Sequence, residues 1–237
     1  MPNQSFFDDT QEMYPPDNPG EYHVPAVLLL DCSSSMEGAS IDELNEGLKI
    51  FGQTLREDPL ALGRADIAIV TFNSTVNEIQ PFIPASMYKA PVLKAQGLTS
   101  LNGAINRGLD MIRARKDYYA KVSGTKYYRP WLFVLTDGYP TDKELTAATQ
   151  ARLQKEIRNK GVFYLPMAIG NKANPKVLQD YYPPEAAQKP YFKAKATDFK
   201  QAFVFLSNSI SQVSRTDLNG GDTIKSPQVD RTITIGI

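Results

Sequence analysis

Apolar residues along the chain follow two patterns: short unbroken runs, and longer stretches with a three-and-four spacing. Val24 to Asp31 is an unbroken run closed by a carboxylate, the pattern of a strand buried on both faces of a parallel sheet. Ala65 to Phe72, Trp131 to Thr136 and Val162 to Ile169 share that character. Val76 to Phe82 follows the second run across the turn Asn73-Ser74-Thr75 and predicts its neighbour strand. Between the runs, Ile41, Leu44, Leu48, Phe51 and Leu55 mark the apolar face of one helix, and Leu101, Ile105, Leu109 and Ile112 that of another. Ser40 with Glu43, and Thr141 with Glu144, have capping-box spacing and predict helix starts. The first of these helices ends at Asp58-Pro59, and the second runs to about Lys160 before Gly161. Asn174-Pro175 predicts an N-cap with proline at the first helical position. Tyr191 to Lys195 predicts a last strand and Phe199 to Val213 a last helix.

Strands alternating with helices predict an α/β, doubly wound fold: a mostly parallel central sheet with helices on both faces. The expected domain covers residues 23–214, after a polar leader over 1–22 and before a tail over 215–237 rich in Gly, Asp and Pro. Within that tail, Arg231 to Ile237 alternates like a strand. It can add to an edge of this sheet, add to a partner's sheet, or take no fixed structure.

Composition narrows the function classes. With 26 Lys and Arg against 26 Asp and Glu, electrostatically driven nucleic-acid binding is not expected as the main activity. A single cysteine, Cys32, excludes an intrachain disulfide and any multi-cysteine metal site. Met1 to Glu21 is polar, acidic and proline-bearing, without a basic region followed by an apolar one, and no apolar stretch has spanning length. A cytoplasmic protein with no membrane partner is the expectation.

The candidate chemistry follows the first strand. In an extended segment, side chains at i, i+2 and i+4 share a side, so Asp31, Ser33 and Ser35 aim three oxygens at one point. Ligands of open parallel sheets bind outside the carboxyl ends of the strands. Thr99, before the helix that begins near Leu101, and Asp137, after the Trp131–Thr136 strand, can reach the same edge. The five groups offer oxygen alone, with only two carboxylates. That suits Mg²⁺, with Mn²⁺ as the alternative.

Cys32 lies between candidate ligands, but alternation turns it away, as a small buried residue under the loop. The only histidine, His23, lies at the far end of the strand, so a Ser/His/Asp or Cys/His enzyme is not expected. Asp142, nearer a helix start than Asp137, reads as negative charge on a helix N-terminus. Six Lys and Arg residues between Arg113 and Arg129, interleaved with Tyr118, Tyr119, Tyr127 and Tyr128, admit two readings. One is a docking surface for an acidic partner or nucleic acid; the other, favoured here, is a helix C-terminus followed by a solvated insertion.

D-x-S-x-S at Asp31 to Ser35, a later threonine and an aspartate after an apolar strand resemble the von Willebrand factor A (vWA) domain family over about Val24 to Ser214. The resemblance implies a Rossmann-like vWA fold and a metal-ion-dependent adhesion site (MIDAS). Ser33 and Ser35 would be direct ligands and Asp31 would act mostly through water. Thr99 and Asp137 would act directly or through water, depending on the state of the domain. The segments Leu44-Asn45-Glu46-Gly47-Leu48, Gly97-Leu98-Thr99-Ser100-Leu101 and Tyr128-Arg129-Pro130-Trp131, with Leu135-Thr136-Asp137-Gly138, Pro140-Thr141-Asp142 and Val213-Ser214-Arg215, are similar to the bacterial TerY-like branch. That branch implies a role in stress response or tellurium resistance, beside a protein kinase and a phosphatase. Leu98 stands where a second glycine is common, and Tyr139 where an acid is common.

The leading expectation is a non-enzymatic, metal-dependent module that binds an Asp or Glu of a partner protein. The alternative is a Mg²⁺-dependent hydrolase of phosphate esters or nucleotides. A third reading has the loops capping helices with no metal at all.

Overall fold

The computed structural model describes residues 13–169, 173–194, 199–214 and 234–236. In chain order the elements are β1 (Tyr22–Asp31), α1 (Ala39–Glu57), α2 (Pro59–Arg64), β2 (Ala65–Phe72), β3 (Val76–Pro84), α3 (Leu101–Tyr118) and β4 (Lys126–Tyr127). They continue as β5 (Trp131–Thr136), α4 (Thr146–Arg158), β6 (Phe163–Ile169), α5 (Pro175–Gln179), β7 (Tyr191–Ala194), α6 (Phe199–Ser214) and β8 (Thr234–Gly236). The sheet order is β3-β2-β1-β5-β6-β7-β8, with the short β4 paired to the start of β1. β1, β2, β5, β6 and β7 are parallel, and the edge strands β3 and β8 are antiparallel to their neighbours.

Alternation along the buried strands feeds two separate cores. On one face Ala26, Leu28 and Leu30 of β1 meet Leu44, Leu48, Phe51 and Leu55 of α1 and Phe203, Leu206 and Ile210 of α6. On the other, Val27 and Leu29 meet Leu101, Ile105, Leu109 and Ile112 of α3, with Leu153 of α4 and Leu178 of α5. A period of two in the strands and 3.6 in the helices thus yields the three layers expected. α3 lies close on the sheet: a Cβ on Gly108 would fall 2.7 Å from Leu132 Cδ1 and 3.1 Å from Leu29 Cδ2. That approach packs the middle of α3 directly on β1 and β5. These two adjacent strands leave the sheet in opposite directions, which makes their carboxyl ends the switch point.

Local signals misplace two helix starts. The N-cap of α1 is Gly38, so Ser40 is already inside the helix and makes no cap. Thr141 likewise does not cap α4, which begins at Thr146 after a 3-10 turn over Lys143–Leu145. Asp58 both ends α1 and caps α2, accepting from the backbone N–H groups of Leu60 and Ala61. The Asn174-Pro175 cap forms as expected, with the side chain accepting from Lys176 N–H at 3.0 Å.

Thr234–Gly236 pairs with β7, so this part of the tail adds to the edge of the chain's own sheet. Residues 215–233 and the predicted strand end at Lys195 lie outside the described residues. β1 starts at Tyr22, and the described part of the leader is tied down. Arg115 donates to the Tyr14 carbonyl at 2.6 Å, Ser86 donates to Asp17 at 2.5 Å, and Arg64 bridges Glu21 and the Ser214 carbonyl.

The basic segment from Arg113 to Arg129 is mostly engaged internally. Lys116 donates to the Gly161 carbonyl, Arg129 to the carbonyls of Val162 and Ile157, Lys121 pairs with Asp117, and Lys126 lies over the Tyr22 ring. This favours the helix-terminus reading over a docking surface. Among the described residues no helix is long and apolar enough to cross a membrane.

Candidate metal centre

β1 delivers Asp31 to the switch point fully buried, and its carboxylate is set to work inside the loop. Oδ1 accepts the Ser33 N–H at 2.8 Å, and Oδ2 accepts the Thr136 hydroxyl from the end of β5. The extended backbone persists only to Ser33. Ser34–Met36 then form a 3-10 turn, anchored by the buried Met36. Simple alternation over five residues therefore does not hold. The turn instead folds Ser35 back, so that its hydroxyl lies 3.0 Å from that of Ser33. From there Ser35 donates to Asp137 Oδ1 at 2.6 Å.

The threonine loop arrives from the α3 side. Gly97 takes a positive φ of 77°, which L side chains rarely adopt, and its carbonyl accepts the Ser34 N–H at 3.0 Å. Thr99 is buried and laced to the third loop in both directions. Its N–H donates to Thr141 Oγ1 at 3.1 Å, and its carbonyl accepts the Thr141 N–H at 2.9 Å. A Cβ on Gly138 would lie 3.5 Å from Thr99 Oγ1 and 3.9 Å from Ser35 Oγ. With no side chain at Gly138, the Thr99 and Ser35 hydroxyls border the same space. All three loops meet: Ser33 bonds Ser35, Ser35 bonds Asp137, and Thr99 lies beside Gly138.

Charge at this cluster is unbalanced. Burial pushes the Asp31 carboxyl up to about 6, against the lowering effect of hydrogen bonds from Ser33 and Thr136, and the charge of Asp137 adds to the rise. Burial also raises Asp137, opposed by the hydrogen bond from Ser35. No ion pair among the described residues reaches either carboxylate. No group of three or more His, Cys, Asp or Glu side chains among those residues could hold a metal. Any cation held here would rest on hydroxyls as much as on carboxylates. This all-oxygen donor set fits Mg²⁺ or Mn²⁺ and is unsuited to a thiophilic metal.

Cys32 is buried as expected. Burial, then the charge of Asp31, pushes its thiol up to about 12, so it is not a nucleophile at neutral pH. Asp142 does place negative charge at a helix N-terminus, but at that of α3 and not of the helix that follows it. Its carboxylate accepts from Gly103 N–H at 2.8 Å and from Asn102 N–H at 3.3 Å.

Two supporting groups escape a motif-based reading. Thr136 orients Asp31 and also accepts the Gly138 N–H at 3.1 Å; the signal was a hydroxyl closing an otherwise apolar strand. Asp66, an acid inside a buried strand, signals a paired charge. It meets His23 at 3.0 Å, Arg115 at 3.2 Å and the Tyr119 hydroxyl at the opposite end of the sheet.

Comparison with known proteins agrees with this architecture. The chain is 26% identical over 156 residues to inter-alpha-trypsin inhibitor heavy chain H1 of Bos taurus, covering 64% of this chain and 17% of that protein. The same protein of Mesocricetus auratus is 27% identical over 135 residues, 56% of this chain and 14% of that one. The chain thus spans less than a fifth of these relatives' length. Among solved structures, the vWF domain of the type V pili tip protein Mfa5 from Porphyromonas gingivalis superposes with a TM-score of 0.61. It has 11% identity and covers 86% of this chain and 99% of that one. The pilus adhesin SpaC from Lactobacillus rhamnosus GG gives a TM-score of 0.63 at 15% identity, covering 84% and 31%. These likenesses are of fold. The profile of the von Willebrand factor type A domain matches residues 26–211, most of the length, and the chain belongs to that family.

Proposed function

We propose that this protein is a metal-ion-dependent protein-binding module without catalytic activity. Asp31, Ser33, Ser35, Thr99 and Asp137 would hold Mg²⁺, or Mn²⁺ in its place. When bound, the cation supplies a positive charge with a coordination position for a carboxylate of the partner, an Asp or Glu. The observation that carries this reading is the hydrogen-bonded run Ser33–Ser35–Asp137 over a buried Asp31, at the switch point of the sheet, where no ion pair among the described residues meets either carboxylate. A relative in fold described as a pilus adhesin is consistent with a binding role.

The hydrolase alternative gains no support. His23, the chain's one histidine, is at the other end of β1 and bonded to Asp66. The segments similar to TerY-like proteins support a role in a bacterial stress or tellurium-resistance system in the cytoplasm, with a protein kinase and a phosphatase as candidate partners. Calorimetric titration with Mn²⁺ tests the site: wild type should bind one ion, and Ser35→Ala with Asp137→Asn should bind none. Pull-downs of the candidate kinase and phosphatase in Mg²⁺ and in EDTA then test the partner. Binding that survives EDTA unchanged would sink the metal-bridged reading.

A further inference from the structure

We propose that Thr141 is a positioning residue of the candidate centre, whose hydroxyl sets the place of Thr99 and fits the site to Mg²⁺ ahead of the larger Ca²⁺; this rests on the metal-bridged reading above. Thr99 lies in a stretch where three successive backbone N–H groups are taken by other elements. Leu98 N–H donates to Ser74 Oγ at 3.0 Å, Thr99 N–H to Thr141 Oγ1 at 3.1 Å and Ser100 N–H to the Asn73 carbonyl at 2.8 Å. The turn between β2 and β3 thus holds the two neighbours of Thr99, and Thr141 holds Thr99 itself. Thr141 also donates its own N–H to the Thr99 carbonyl at 2.9 Å. Two bonds of opposite sense therefore bracket the residue that carries a candidate metal oxygen.

Thr141 belongs to the loop that begins with Asp137, and that loop is pinned along its length. Gly138 N–H donates to Thr136 Oγ1, Pro140 is buried with its φ fixed by its ring, and the Asp142 carboxylate takes the N–H groups of Asn102 and Gly103 at the start of α3. Residues 137–142 therefore carry one candidate ligand, Asp137, and hold the backbone of another, Thr99. The Thr99 and Ser35 hydroxyls border the space beside Gly138 in the same loop. Thr141 is itself exposed, a setting in which a side chain ordinarily adds little to stability, so its bond to Thr99 can be removed without dismantling the core. Mg²⁺ demands near-octahedral oxygens at about 2.0–2.1 Å, whereas Ca²⁺ accepts more irregular ones at about 2.3–2.6 Å. A threonine held through its own backbone in both directions suits the stricter cation, and loosening it penalises Mg²⁺ the more.

Thr141→Val keeps the shape and the backbone N–H but removes the acceptor, and Thr141→Ser keeps the acceptor. Mn²⁺ is titrated calorimetrically into wild type and both variants, Mg²⁺ and Ca²⁺ are ranked by displacing it, and hydrogen exchange of the Thr99 amide is followed in EDTA. Thr141→Val should speed Thr99 exchange and weaken Mg²⁺ about tenfold, the scale of losing a group that orients a metal ligand, with Ca²⁺ weakened less. Thr141→Ser should match wild type in every measurement. Unchanged Thr99 exchange in Thr141→Val, an unchanged preference between Mg²⁺ and Ca²⁺, or equal losses in the two variants overturns the positioning role and leaves the metal site standing. Wild type that binds no Mn²⁺ overturns the metal-bridged reading and the positioning role with it.

Discussion

At the amino end of the sheet, Asp66 is fully buried and its charge is answered from within the protein. His23, Arg115 and Tyr119 surround it, all equally buried, and the Arg115 guanidinium also lies 4.7 Å from the Tyr119 ring centroid. At the carboxyl end Asp31 is buried just as deeply, but hydroxyls, a backbone N–H and a second carboxylate surround it. One end is a closed ion pair and the other an open one. Among the described residues no cationic side chain pairs with Asp31, in contrast to the guanidinium beside Asp66. The cation proposed above would supply the countercharge at that end.

The largest test of the contrast is at the closed end. Arg115→Met strands Asp66 without its cation and should cost about 3–5 kcal/mol of unfolding free energy in urea titration. A loss under about 1 kcal/mol would mean that the amino end is no true ion pair. Stabilisation by Mn²⁺ should persist in that variant wherever it still folds.

Neutralising the open end should have the opposite sign. The folded state raises the Asp31 carboxyl from 3.8 to about 6, so it holds its proton more tightly folded than unfolded. The stabilising effect of that proton is complete below about pH 4 and lost as pH rises through about 6. At pH 7 the ionised group therefore costs the metal-free domain on the order of 3 kcal/mol. Asp31→Asn should recover part of this, raising the melting temperature in EDTA while abolishing the Mn²⁺-induced shift. Asp66→Asn should lower the melting temperature in EDTA, and two variants moving in the same direction would dissolve the distinction between the ends.

A smaller effect sharpens the same point through pH. Protons compete with the cation for Asp31, so Mn²⁺ affinity should fall up to about tenfold per pH unit below 6. Titrations at pH 5, 6 and 7 would show this, and a flat profile would remove Asp31 from the site. Smallest is Asp142→Ala, which uncaps α3 and should cost about 1 kcal/mol. Because α3 carries the Thr99 loop at its start, a modest loss of Mn²⁺ affinity should accompany it.

How much of this was legible in the sequence depends on how local each determinant is. Ala65–Phe72 and Trp131–Thr136 could be read directly, since an unbroken apolar run admits few alternatives to a buried strand. Asp31, Ser33, Ser35, Thr99 and Asp137 could be gathered at one edge, because the strand ends fix where loops emerge. Capping was misread where it is decided at a distance. The spacing of Thr141 and Glu144 resembles a local box, yet Thr141 bonds Thr99 and Asp142 caps α3, across 42 and 39 positions of chain. The Asp66 cluster was hidden for the same reason, since its partners lie 43 and 53 positions away in opposite directions. The turn at Ser34–Met36 brings the Ser33 and Ser35 hydroxyls together by a different local geometry than alternation supplies.

β1 runs from His23 at the closed end to Asp31 at the open end, a separation of about 26 Å at the rise of a strand. The two clusters share no partner among the hydrogen bonds and ion pairs described above, and charge changes at sites this far apart should add in double mutants. The strand is in effect an insulator. One pole can be rewired for a different ion or ligand while the other goes on holding the fold, which makes the protein its own internal control.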